Sequence, residues 1–196
     1  MRPFGYTMTE LDTRTDLDAR TKLEIYRLVI NRYRDLINQK ESRSISEVRQ
    51  KVSPYQSFIR KMHERMLPDI APYDYNRHFF IAAERALSYI KGIKTCEFAF
   101  SFWMDFDQID QLGVATAMDK AILLAALLRS FESEDARVIV TKKGKIFVRF
   151  LWKDAHYFVS TETGSLISGE ESLKLFSDDV VAYAFNDLMY ENYEET

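Results

Sequence analysis

The strongest constraint on this chain is a run near its middle, Ala115 to Phe131, in which every residue from Ala121 to Leu128 is apolar. Alanine and leucine are strong helix formers, so the run reads as one helix. A helix that is apolar on all sides is buried on most of them. It is too short to cross a bilayer, which takes about 20 apolar residues, and no apolar run in the chain reaches that length. The rest of the chain therefore has to cover it. At 196 residues, with 46% hydrophobic residues including 14 Phe and 11 Tyr, the chain has the apolar volume for one sizeable domain and an extra helical segment.

Three short runs follow the helix. Arg137 to Thr141, Lys145 to Trp152 and Ala155 to Ser160 are rich in β-branched and aromatic residues. Lys142-Lys143-Gly144 and Lys153-Asp154 separate them as tight turns, which predicts an antiparallel meander. Thr163-Gly164-Ser165 reads as a further turn, and Asp178 to Tyr190 as a C-terminal helix. Glu191 to Thr196 is acidic and expected to be loose.

Ahead of the central helix the pattern is helical. Residues 1–14 are polar and expected to fray. From Asp16 to about Gln39, Leu23, Tyr26, Ile30, Tyr33 and Ile37 recur at spacings of three and four, with Leu28, Val29 and Leu36 widening that face. Ser44-Ile45-Ser46-Glu47 reads as a capping box opening a short helix to Val52. Ser53-Pro54 restarts a helix to Met66 or Leu67, and Pro68 and Pro72 break it. Tyr73 to Lys91 is a further helix with Phe79, Phe80, Ala83, Leu87 and Ile90 on its apolar face, ended by Gly92. Cys96 to Trp103 reads as a short extended segment. The face on residues 16–67 is expected to pack on the domain or on a second copy of the chain.

Charge and cysteine content exclude several classes. The formal charge is −3 and the pI about 5.7, so the chain as a whole carries no electrostatic footprint for nucleic acid. The lone Cys96 cannot form an internal disulfide, and the N-terminal stretch has no apolar signal core, so a cytoplasmic protein is expected. His63, His78 and His156 show no metal-ligand spacing with one another or with Cys96, which reads as a small buried hydrophobe. Arg43, Arg49, Lys51, Arg60, Lys61 and Arg65 make residues 43–65 locally basic. Glu41, Glu47 and Glu64 balance them, so a solvated helix face is the simpler reading.

A polar loop carrying Trp103, three aspartates and Gly113 leads into the central helix. This stretch resembles the nucleophile helix of transglutaminase-like cysteine enzymes. There a Trp, an acidic loop and a glycine precede Gly-Asp-Cys-x-Asp-x-Ala and an apolar helix. Trp103, Gly113, Asp119, Lys120 and Ala121 fall into that pattern without a gap, and the resemblance spans about residues 73–168. It implies an α+β fold: a transglutaminase-like domain over residues 73–196, its buried central helix packed on an antiparallel sheet, after an N-terminal helical segment over residues 1–72.

The resemblance also implies a place for each catalytic group. The cysteine stands at the helix N-terminus, where free N–H groups and the helix dipole stabilise a thiolate. The histidine opens the second strand of the meander and the aspartate ends the third. Here those positions hold Ala117, a residue near Lys145 or Ile146, and Thr161; Ala115 and Thr116 replace the Gly-Asp. A nucleophile, its base and the group that orients the base are all missing. Asp119 remains, either to bind a cationic group in a cleft or as a first-turn carboxylate worth about 0.3–1 kcal/mol to the helix. Trp103 either lines a groove or fills the core.

The leading expectation is a non-catalytic protein- or peptide-binding or scaffolding module. It would use a degenerate cleft formed by Trp103, Thr116, Ala117, Asp119, Lys145 and Thr161, or the helical arm. A second reading is a cysteine protease or transglutaminase-type enzyme whose nucleophile has been replaced by Ala117. A third is a nucleic-acid-associated factor using residues 43–65. No cofactor, metal or membrane is expected; the partner is a protein or peptide, or a second copy held as a homodimer through the N-terminal helices.

Overall fold

The computed structural model describes residues 8–41, 43–97 and 102–193. The chain divides into two compact units, and Phe102 falls in the first of them together with the helix α1, Met8–Glu41. The helix starts eight residues ahead of the expected Asp16, so part of the stretch expected to fray is helical; residues 1–7 lie outside the described residues.

The second unit begins with two helices. In α2, Ile45–Lys51, the Ser44 hydroxyl oxygen accepts from Glu47 N and the Glu47 carboxylate accepts from Ser44 N, the reciprocal cap the sequence predicts. Helix α3, Ser57–Met66, starts at a Gln56 cap rather than at Pro54, and Phe58, Ile59, Met62 and Met66 on one face are buried. Helix α4, Tyr75–Gly92, is capped by Asp74, whose carboxylate accepts from Arg77 N at 3.0 Å. That cap moves the start two residues past Tyr73, whose hydroxyl donates to Phe131 O at 2.9 Å.

Lys94–Thr95 (β1) pairs in parallel with Val114–Ala115 (β2). Between them lies α5, Phe106–Leu112, which the sequence reading missed. Its reciprocal cap, Asp105 with Gln108, was the available signal. Gly113 closes it in the left-handed region at φ 64°, a conformation that favours glycine. Of the expected extended segment 96–103, Cys96 and Glu97 lie in no regular element, and residues 98–101 are outside the described residues.

The central helix α6, Ala117–Ser130, is what the apolar run requires. Residues Ala121 to Leu128 are all buried. It packs on α3 and α4 on one side and on the sheet strands β3, Arg137–Thr141, and β4, Ile146–Trp152, on the other. The meander continues through β5, Ala155–Ser160, and β6, Leu166–Ser168. Lys153 and Asp154 turn β4 into β5 at φ 46° and 62°, the consecutive positive values of a two-residue hairpin loop.

The expected C-terminal helix over 178–190 is absent. After a short α7, Glu170–Lys174, the chain forms β7, Val181–Phe185, and β8, Tyr190–Asn192. The six strands run β6-β5-β4-β3-β7-β8, with every neighbouring pair antiparallel. Val-Ala-Tyr-Ala-Phe suits a strand because β3 offers an open edge on the side away from β4: Val138 pairs with Phe185 and Ile139 with Ala184. The helical spacing of Val181, Ala184 and Phe185 concealed this, and pairing with a distant strand overrode it.

The sheet has two apolar sides. Phe150 and Trp152 meet Phe79 of α4, with ring centroids 5.6 and 5.3 Å apart. On the opposite face Ile139, Phe147, Phe158 and Ala184 form a second cluster, covered by Leu175, Phe176 and Val181. The protein is thus an α+β fold with an antiparallel sheet.

Candidate functional site

Helix α6 starts where the resemblance placed a nucleophile. Thr116 is the N-cap, extended at φ −71° and ψ 163°. Its oxygen accepts from Asp119 N at 3.1 Å, and its hydroxyl donates to Asp119 Oδ2 at 2.8 Å. The threonine and the aspartate therefore cap the helix and each other. Ala117 follows, half-buried, with a methyl group as its whole side chain.

Asp119 is 2% exposed. Burial raises its carboxyl above the ordinary range; hydrogen bonds from the Thr116 hydroxyl and from the Thr116 and Met104 backbones, with the charge of Lys51, pull the other way. Lys51 comes from α2. Its ammonium donates to Met104 O at 2.8 Å, pairs with Asp105 at 3.7 Å and sits 5.7 Å from the centre of the Trp103 ring. Burial lowers its pKa. Trp103 is half-buried beneath that cation. Cys96 is half-buried too, and burial followed by the Asp119 charge raises its thiol pKa, the opposite of an activated nucleophile.

Lys145 and Thr161 come together at one end of the sheet. Thr161 is fully buried, and its hydroxyl donates to Ile146 O at 3.2 Å. Lys145 is 58% exposed and stands 4.0 Å from Asp179. Asp179 anchors the β3–β4 turn, accepting from the Thr141 hydroxyl at 2.8 Å and from Lys143 N at 3.0 Å. These polar groups are engaged in holding strands and turns together.

Sequence reasoning missed two members of this region. Lys51 was taken as part of a solvated basic face; no local pattern marks which lysine of a helix turns inward. Lys120 is 4% exposed and donates to Ile93 O at 3.0 Å and to Thr95 Oγ1 at 3.1 Å, tying α6 to the β1 segment. The basic stretch loses a second member to the domain: Arg49 donates to Asn186 O at 3.2 Å and to Asp187 O at 3.1 Å.

Cavities lie near the two ends of α6. A groove of about 180 Å³ beside Lys51 and Asp105 is walled by Gln56, Phe58 and Phe106. A larger one of about 460 Å³ opens at the other end of α6, between Tyr55, Arg60, His63, Glu132 and Glu134. There His63 Nδ1 stands 3.4 Å from Ser130 Oγ, but that hydroxyl already donates to Leu127 O at 2.7 Å. The histidine can only donate to the serine, so the pair is not a nucleophile with its base. Among the described residues no cluster of His, Cys, Asp or Glu is arranged to hold a metal ion, and no helix is long and apolar enough to cross a membrane. Comparison of the chain with known protein families, characterised proteins and solved structures found no match.

Proposed function

We propose that the protein is a transglutaminase-like domain that has lost its chemistry and acts as a protein- or peptide-binding or scaffolding module. The observation that carries this reading is the start of α6. The position for a cysteine holds the Ala117 methyl, and the other residues of the expected cleft are engaged as structure or face outward. Thr116 and Asp119 satisfy each other, Thr161 closes the β4–β5 pair, and Lys145 is exposed. Acyl transfer needs a base within roughly 2.6–3.2 Å of the nucleophile, and no histidine accompanies these residues. The groove beside Lys51 and the helix α1 remain as binding surfaces.

The test is turnover. The protein and its Ala117→Cys variant, with Ala117→Ser as control, are assayed against a broad panel of peptide, amide and amine-donor substrates. Neither is expected to turn over. Robust turnover by the cysteine variant, abolished by alkylation, would identify a disarmed enzyme and overturn the reading.

A further inference from the structure

Helix α1 exposes several of its apolar residues, while Ile30 and Ile37 are half-buried. Leu23, Tyr26 and Tyr33 are 50%, 62% and 48% exposed. With Ala19, Ile30 and Ile37 they recur at spacings of three and four, the a and d positions of a heptad. The seam covers about 27 Å of helix at 1.5 Å per residue. Continuing the same heptad towards the N-terminus puts Asp16 and Asp12 at core positions, so the seam begins at Ala19. One flank has a single sign. Arg20, Arg27 and Arg34, all exposed, are seven residues apart and occupy successive e positions. The other flank holds Lys22, Val29 and Leu36 at the g positions.

These flanks decide what the seam can face. A parallel second copy sets g against e, and so places Lys22 against Arg27. An antiparallel copy sets e against e, and so places Arg20 against Arg27. Both registers oppose like charges, and both leave an arginine column without carboxylates. A helix with glutamates or aspartates beside its apolar stripe meets all three arginines with opposite charge. Resting on the reading of the protein as a binding module, we propose that this face of α1 is its docking surface and that it takes an acidic amphipathic helix of a partner protein. Leucine-sized side chains fill the seam between the two tyrosines. Carboxylates pair with the arginine column, which sets register and rejects a basic helix.

The probes are two labelled synthetic heptad peptides, both with Leu at a and d, one with Glu and the other with Lys at e and g. They are titrated against the full chain by fluorescence anisotropy. The Glu peptide is expected to bind saturably, at least tenfold tighter than the Lys peptide, and to weaken as salt is raised. The triple variant Arg20→Glu, Arg27→Glu, Arg34→Glu should reverse that preference, and Tyr26→Asp with Ile30→Asp should abolish binding of both peptides. Circular dichroism of each variant checks that α1 stays helical. Equal binding of the two peptides, or none, overturns the proposal. So does concentration-dependent dimerisation in sedimentation that Tyr26→Asp removes, or uptake onto vesicles of phosphatidylserine and phosphatidylcholine in equal parts with no peptide binding. None of these outcomes alters the turnover test at Ala117, so the docking surface and the loss of catalysis fail separately.

Discussion

At the scale of residues, the start of α6 concentrates the strain of burying charge. Removing the cap with Thr116→Ala should cost about 0.5–2 kcal/mol, read from urea unfolding. Asp119 gives a pH signature. Its carboxyl is held above the ordinary range by burial, against the opposing hydrogen bonds and the Lys51 charge. The folded protein therefore binds this proton more tightly than the unfolded chain. Its contribution to stability is full below the ordinary value near pH ~4 and is lost as pH rises through the folded value. The stability of Asp119→Asn relative to the parent should accordingly rise between about pH 4 and 7; a difference that stays flat or falls contradicts this environment. Lys51→Met should cost about 1–3 kcal/mol, since it leaves Asp119 without its cation, and a double-mutant cycle with Asp119→Asn should show coupling. The sequence placed Thr116, Ala117 and Asp119 in the first turn of the central helix, because a cap and an apolar run are local patterns. It could not show Lys51 over Trp103, since that contact joins residues 52 positions apart and depends on how α2 turns.

At the scale of elements, α6 and the last hairpin hold the domain together from opposite kinds of force. Leu124 is fully buried in the middle of α6, so Leu124→Ala should cost roughly 2–5 kcal/mol in unfolding free energy. The β7–β8 hairpin is held by polar groups. Arg129, in the last turn of α6, binds Asp187 through two nitrogens at 2.7 and 3.2 Å, with side chains 8% and 12% exposed. Fully buried Asn186 donates to Ala136 O at 3.1 Å and accepts from Leu188 N and Met189 N at 2.9 Å. Asp187→Ala strands the buried guanidinium and should cost about 3–5 kcal/mol by chemical denaturation, more than a typical surface change. The meander over 137–160 was legible because short turns and β-rich runs are local. The hairpin was not, because Val181–Phe185 becomes a strand by pairing with β3, some forty residues earlier. Only the Asn186-Asp187 turn hinted at it.

At the scale of the whole molecule, the buried apolar side chains among the described residues run from Val52 to Phe185. A chain shortened to residues 43–196 should therefore unfold cooperatively at nearly the parent's urea midpoint, while losing whatever the α1 face binds. A large loss of stability would show that α1 belongs to the core. The central claim is that this fold carries no acid–base chemistry at the head of α6. The most direct measurement is the pH dependence of alkylation in the double variant Cys96→Ser, Ala117→Cys, which has one thiol, at the helix N-terminus. A thiol there without a base should show a single ionisation at or modestly below the ordinary value of about 8.5, lowered by the helix dipole and opposed by Asp119. The account predicts that single step, with reactivity fading below it. A thiolate that stays reactive to about pH 4–5, as in a cysteine paired with an imidazolium, would contradict it, because a base would then stand beside Ala117 after all.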